Sequence, residues 1–328
     1  MKLQQLRAVH AVAQCDLNVT AAAVQLHATQ PAVSKQLQAL EAELGFNLFV
    51  RRGRTLTRMT PAALRILPFL QRLLQEERNI RRVSAESRGD SSGTMVIGTT
   101  HTQARYALPN TIREFRRAHP QIKIELHQGT TEQIAQMVRL GQIDFAIATG
   151  SRECFGDYVL LPCYQWYPSF LVPKGHPLAK ASRPRLEQVA AHPLVTYAFS
   201  FTGSASLPEI FDAAGVAPNI VLTAQDADVI KTYVRLGFGV GIIANVAVEP
   251  GDHVALVAIS GRHLFPTQTT WIGFPGEGFL RRYMYDFVRL FAPHLTHRWI
   301  ERASHCRNQA EVEGLFEGVV LPDHATPT

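Results

Sequence analysis

The chain has 328 residues, a net charge of +6 and four widely separated cysteines, Cys15, Cys154, Cys163 and Cys306. That length allows two or three domains, and the lack of a CxxC pair argues against both a zinc ribbon and a disulfide framework, which fits a reducing cytoplasm. There is no apolar leader, no run of eighteen apolar residues and no HExxH-like histidine spacing, so neither membrane insertion nor a histidine metal site is expected.

The charge is segregated. Residues 1–88 hold thirteen Lys and Arg against six acids, a net of +7, while the remainder is at −1. A polyanionic partner is therefore expected for the N-terminal part. Asn18 to Gly45, NVTAAAVQLHATQPAVSKQLQALEAELG, reads as two short helices joined by a tight turn. Ala21, Ala22 and Ala23 let the first helix approach closely, and Thr29 with Pro31 is a start signal for the second. Val33, Leu37, Leu40 and Leu44 recur at helical spacing and mark a buried face. Ser34, Lys35, Gln36 and Gln38 lie off that stripe and can reach base edges or phosphates. The pattern predicts a helix-turn-helix over about Val19 to Gln38, with Thr29, Gln30, Pro31, Ser34, Lys35 and Gln38 as DNA-binding candidates.

Leu48 to Pro61, LFVRRGRTLTRMTP, predicts a short strand, a turn with Arg51, Arg52 and Arg54, and a return strand at Leu56. This is the pattern of a wing, whose arginines would meet phosphate or the minor groove. Thr60 and Pro61 then open a helix of about 27 residues. Its stripe of Leu64, Leu67, Leu70, Leu73, Leu74, Ile80 and Val83 calls for a partner helix from a second subunit, and Pro68 should bend it.

Polar residues Arg88 to Gly93 suggest a linker. Strands are then expected at Met95–Gly98, Ile122–Leu126 and Phe145–Ala148, alternating with helices at Ala107–Ala118 and Thr131–Leu140. A second set comprises strands at Phe170–Val172, Leu194–Tyr197, Ile220–Leu222 and Val240–Ile243, with helices at Leu207–Ala214 and Asp228–Leu236. A helix near Leu280–Ala292 would return to the first set. The alternation predicts parallel sheets with crossover helices, in two lobes joined near Cys163–Tyr167 and Pro266–Thr269. GFGVGI at Gly237–Ile242 follows a helix and opens a strand, so it reads as a turn. With no Walker loop and no nucleophile elbow, an enzyme is not expected. The tail beyond His297 reads as partly helical and then disordered.

The first ~85 residues resemble, without a gap, the DNA-binding domain and linker helix of LysR-type transcriptional regulators. Six further runs resemble the CysB/Cbl branch of that family: TTHTQARYALPN (Thr99–Asn110), DFAIAT (Asp144–Thr149), LPCYQW (Leu161–Trp166), PLVTYAFSFTG (Pro193–Gly203), TAQDADVIKTYVRLGFGVGIIA (Thr223–Ala244) and LRRYMYDFVRLFAPHLT (Leu280–Thr296). The segment Gly150–Gly156 and Pro68 depart from the branch pattern. The expected fold is α/β: a winged helix-turn-helix over 1–59, a linker and dimerisation helix over 60–90, and a bilobed effector domain over 91–328. That domain would be periplasmic-binding-protein-like (type 2), with lobe I at about 91–163 and 268–300 and lobe II at about 164–267.

In open α/β sheets ligands meet the carboxyl ends of strands, where helix N-termini point inward. The strand ends here carry Thr100, Thr102, Gln103, Thr149 and Thr202, and the resemblance implies that these positions contact an anion, with Trp166 as a cleft wall. Those residues include no carboxylate, so sulfate is expected to bind in preference to monohydrogen phosphate, whose O–H would lack a partner. Arg105 and His101 are close enough in sequence that either could add charge, but side-chain direction is not readable from sequence. His101 is expected to be packed or at the surface. The resemblance further implies an activator of sulfur-assimilation and cysteine-biosynthesis genes. Its partners would be promoter DNA, RNA polymerase, further copies of itself in a homotetramer, and an effector such as sulfate, thiosulfate, acetylserine or adenosine phosphosulfate. No cofactor and no membrane partner are expected. A sulfonate-use regulator and an anion-binding protein without DNA function are the alternatives.

Overall fold

A computed structural model describes every residue except 54, 88–91, 151, 157, 199–206, 277–279, 307 and 325–328. Two compact units account for the chain, one centred on Met1–Asp90 and the other built from Ser91–Val138 and Gln142–Thr328.

The first unit begins with α1 (Leu3–Gln14), α2 (Val19–Gln25) and α3 (Gln30–Leu44). Asn18 caps α2 by accepting from the N–H groups of Thr20 and Ala21, each at 3.0 Å. Thr29 caps α3, its hydroxyl accepting from Ala32 N–H at 3.4 Å. The turn between α2 and α3 is tight enough to hold His27 in the left-handed region, at φ 50°. Gly45, at φ 77°, ends α3 where a side chain would be strained. Leu6, Val9 and Val12 of α1, Ala22 and Ala23 of α2, and Val33, Leu37 and Leu40 of α3 form one buried core. The hairpin of β1 (Phe49–Arg52) and β2 (Thr55–Met59) is antiparallel. The long helix α4 (Pro61–Ser87) runs through Pro68. Ala63, Leu70 and Leu74 of α4 join the core, whereas Leu64, Phe69, Leu73, Ile80 and Val83 are left exposed.

The second unit contains β3 (Gly93–Thr99), α5 (Leu108–Ala118), β4 (Ile122–Gln128), α6 (Thr131–Arg139), β5 (Phe145–Thr149) and β6 (Tyr158–Trp166). Next come β7 (Pro168–Pro173), α7 (Leu186–Ala190), β8 (Leu194–Tyr197), α8 (Leu207–Ala213), β9 (Ile220–Ala224), α9 (Ala227–Arg235) and β10 (Val240–Ala244). The chain ends with β11 (Leu256–Ser260), β12 (Gln268–Pro275), α10 (Arg282–Phe291), α11 (His297–Ser304) and α12 (Gln309–Leu315). They make two five-stranded sheets, ordered β4-β3-β5-β12-β6 and β11-β7-β10-β8-β9.

The predicted strands and helices are present, but the parallel reading needs correction. β12 runs antiparallel to both β5 and β6, and β7 antiparallel to β10 and β11. Each sheet is mixed because a strand from the neighbouring crossover returns into it. The tail is partly helical as expected, with Ile300, Ala303 and Val312 of α11 and α12 buried in the main core. Beyond α12, however, the residues Pro322–His324 pair with Gln165 where disorder was expected.

Candidate functional site

In the first unit the buried stripe of α3 fixes its outer face. Thr29, Gln30, Pro31, Lys35 and Gln38 are exposed and Ser34 is half-buried. The first turn of a helix leaves unpaired N–H groups, so this end of α3 offers backbone donors, a cation and amides together. The wing is arranged differently from expectation. Arg51 and Arg52 lie on β1 itself, and Gly53, at φ 63°, begins the turn. Arg54 is outside the described residues.

Arg51 donates to Glu41, a carboxylate that is only 7 % exposed. Glu41 also accepts from Leu48 N–H at 2.8 Å and Phe49 N–H at 3.2 Å. Arg51 is thereby paired internally with a buried acid, and both Arg51 and Arg52 remain exposed. The signal for Glu41 was present in sequence, as an acid four residues after Leu37 on the buried stripe.

In the second unit β3 ends at Thr99, and Thr100 to Thr102 lead into a π-turn over Gln103–Ala107. Such turns break the regular helix ladder and recur at functional sites. Thr149 closes β5 on the neighbouring strand. Gln103 is buried; its Nε2 donates to Thr270 Oγ1 at 3.2 Å, and its Oε1 accepts from the Tyr164 hydroxyl. Thr270 Oγ1 lies 3.2 Å from Thr149 Oγ1, which accepts from Trp166 Nε1 at 3.2 Å. Tyr164, Gln103, Thr270, Thr149 and Trp166 are therefore one continuous hydrogen-bonded chain. Burial pushes the Tyr164 phenol well above its ordinary range, which keeps it a donor.

Thr100, Thr102 and Thr149 stay partly exposed, whereas Gln103 and Trp166 are buried supports whose polar groups already have partners. Thr270 and Tyr164, at the centre of the chain, were not anticipated as site residues. Thr102 hydrogen-bonds the Tyr197 hydroxyl, which also accepts from Ala244 N–H at 3.3 Å. Burial, the larger cause, pushes that phenol up to about 12. Thr202 is outside the described residues.

Carboxylates also lie beside the strand ends. A ring nitrogen of His101 and carboxylate oxygens of Asp226 and Asp228 all fall within 4.8 Å of one another. Asp226 caps α9 by accepting from Val229 N–H at 2.8 Å. Asp228 accepts from the Tyr106 hydroxyl at 2.7 Å and lies 3.6 Å from Arg105 Nε. Arg105 forks onto Glu249 at 3.1 and 3.2 Å. Glu249 and Asp252 in turn face Lys231, which is 2 % exposed, at 3.4 and 2.6 Å. Arg105 thus pairs with the acids Asp228 and Glu249 while staying exposed. Carboxylates therefore stand beside His101 and Arg105, outside the set of strand-end residues named from the sequence.

Among the described residues no helix is long and apolar enough to cross a membrane. Residues 3–64 match the model of bacterial regulatory helix-turn-helix proteins of the lysR family, and residues 88–296 match the LysR substrate binding domain. The chain is 44% identical to the HTH-type transcriptional regulator CysB of Haemophilus influenzae, over 98% of this chain and 99% of that protein. It is 42% identical to the HTH-type transcriptional regulator SsuR of Burkholderia cenocepacia, over 98% of this chain and all of that protein. Among solved structures, the cofactor-binding domain of the Cbl transcriptional regulator is 39% identical with a TM-score of 0.60, covering 65% of this chain and 93% of that one. The paired domain matches and the near full-length identity place this chain in the LysR family of transcriptional regulators, of the CysB, SsuR and Cbl type, and not among enzymes.

Proposed function

We propose that this regulator controls sulfur-assimilation genes, chiefly cysteine biosynthesis and mainly as an activator, and that a small sulfur-metabolism effector binds beside Thr100, Thr102 and Thr149. The observation that carries the reading is the meeting of three partly exposed hydroxyls with the start of the π-turn at Gln103. Unpaired N–H groups and hydroxyls at such a start suit a sulfate, thiosulfate or carboxylate oxygen. The neighbouring Tyr106–Asp228 and Arg105–Glu249 contacts join this turn to α9 and its following loops. An effector with different affinity for the joined and separated arrangements would shift the balance between them, and with it the set of DNA contacts.

On the DNA side, α3 supplies the reading face through Gln30, Ser34, Lys35 and Gln38, and Arg52 adds a cation. The exposed apolar residues of α4 support pairing with a second copy, from which a tetramer can be built. Promoter DNA and RNA polymerase are the expected macromolecular partners.

Calorimetric titration of the full chain with sulfate, thiosulfate, phosphate, O- and N-acetylserine and adenosine phosphosulfate tests the reading. Binding of an acetylserine or thiosulfate that also changes retention of a sulfur-gene promoter fragment in a gel supports it. The resemblance to SsuR and Cbl favours one second reading, a sulfonate-use regulator, and preferential binding of adenosine phosphosulfate would select it. No response to any compound, with promoter binding intact, would refute the sulfur effector.

A further inference from the structure

After α12 the chain returns to the outer edge of the first sheet. Gln165 N–H donates to Pro322 O at 2.9 Å, and His324 N–H donates to Gln165 O at 2.8 Å, a parallel bridge centred on Asp323. Edge strands carry unpaired backbone groups, and this short segment satisfies those of Gln165. Arg262, just beyond β11, forks onto Asp323 with N–O distances of 2.9 and 3.2 Å. Asn245, just beyond β10, donates from Nδ2 to His324 O at 3.2 Å.

These anchors belong to different parts of the fold. Gln165 is at the end of β6 in the first sheet, whereas Asn245 and Arg262 follow strands of the second. Asn245 also clasps Tyr167, the residue between β6 and β7, accepting from its N–H at 3.0 Å and donating its own N–H to Tyr167 O at 2.9 Å. The segment therefore bridges both lobes at the crossover between them. The His324 ring packs against Tyr164, with centroids 5.0 Å apart, and Tyr164 holds the amide oxygen of Gln103.

We propose that Pro322–His324 is a strap: it clamps the crossover between the lobes and, through His324 and Tyr164, positions Gln103 and the start of the π-turn for effector binding. The proposal rests on the effector site at Thr100–Thr149 described above. The segment is tied by backbone pairing, a bidentate ion pair and a half-buried ring packed on Tyr164. Any hinge motion at Tyr167 must carry the strap with it or detach it. The residues of the strap are positioning residues, not ligand contacts.

The test uses the full chain truncated after Leu321, together with R262D, D323R, the R262D/D323R exchange and H324F. Sulfate and O-acetylserine are the titrants, and amide hydrogen exchange over Gln103–Leu108 and at Tyr167 is followed in parallel. Loss of hydrogen bonds and packing of this kind should weaken binding about tenfold in the truncated chain and about threefold in each single charge variant. The exchange variant should recover to within about twofold of the parent, because only the paired geometry is restored. H324F should retain affinity, since it keeps the ring against Tyr164. Amide exchange at Tyr167 and over Gln103–Leu108 should quicken on truncation.

Unchanged affinity and unchanged amide exchange on truncation would overturn the strap. So would single-variant losses that the charge exchange fails to repair, because that pattern reports general destabilisation. If the parent chain binds neither titrant, the effector reading fails, and the amide exchange alone still decides the strap.

Discussion

The outer face of α3, proposed to read DNA, and the strand ends around Thr100, proposed to hold the effector, are built in opposite ways. The α3 face is local: Thr29 and the fifteen helical residues that follow supply its cap, its buried stripe and its exposed polar groups. The strand-end site is assembled from residues up to 167 apart in sequence, as in the Gln103–Thr270 bond. In the first case function needs only that one helix face be buried correctly. In the second it needs four strands and a π-turn to arrive in register. Robust local surfaces tolerate point changes at their rim, whereas a hydrogen-bonded chain fails at its weakest buried link.

The contrast breaks most readily at Glu41, where the local surface has a hidden nonlocal support. E41A removes a buried acceptor for two N–H groups and leaves Arg51 without its partner. We expect a loss of about 3 kcal/mol in urea unfolding of the N-terminal unit. A loss below about 0.5 kcal/mol would show that the carboxylate is replaceable by water.

T270V comes next. Thr270 is fully buried between Gln103 and Thr149, so the isosteric methyl strands their polar groups at a cost of about 2 kcal/mol. Effector affinity should drop with it, while DNA affinity measured without effector stays the same. Equal loss of both in gel retention would contradict the separation of the two surfaces.

The third expectation sharpens the comparison within the DNA-binding unit. K35A should weaken binding to specific and random DNA alike and lower the log–log salt slope by about one. R51A should leave that slope unchanged, because its guanidinium serves Glu41; a slope lowered by a full unit in R51A would return the arginine to the phosphate backbone.

The smallest effect concerns pH. Burial holds the His324 ring below the ordinary histidine value of 6.5, with the neighbouring Tyr164 ring, Asp323 and Arg262 around it. The unfolded chain therefore takes up this proton first as pH falls. Stability from the neutral ring is complete above about pH 6.5 and declines below it, levelling once the folded ring is also protonated. Thermal melting from pH 7.5 to 5 should show a steeper acid loss for the parent than for H324F. Because His176 is also shifted downward by burial, the difference between the two proteins, not either curve, is the measurement.

Local patterns carried much of the architecture. The Thr29 cap, the α3 stripe, the 27-residue helix and most strands of the first α/β set were legible because each depends on neighbours within one or two turns. Of the site, Thr100, Thr102 and Thr149 were legible as strand-end hydroxyls, since β3 and β5 are apolar runs with clear ends. Thr270 was not, because β12 enters between β5 and β6 only after the chain has completed the other sheet. The acids Asp226 and Asp228 stand at the start of α9, and nothing in their spacing placed them beside His101.

The sequence by itself determined that the N-terminal unit is basic, that it presents one helix end outward, and that two α/β sets follow. Periodicity and capping are short-range physics, and they are written residue by residue. Tertiary structure decided that Arg51 pairs with a buried acid, that the Gln103 amide is buried against Thr270 and Tyr164, and that Pro322–His324 pairs with a sheet edge. Each of those outcomes depends on which distant group fills a buried polar partner's remaining lone pair or N–H, and only the folded packing chooses it.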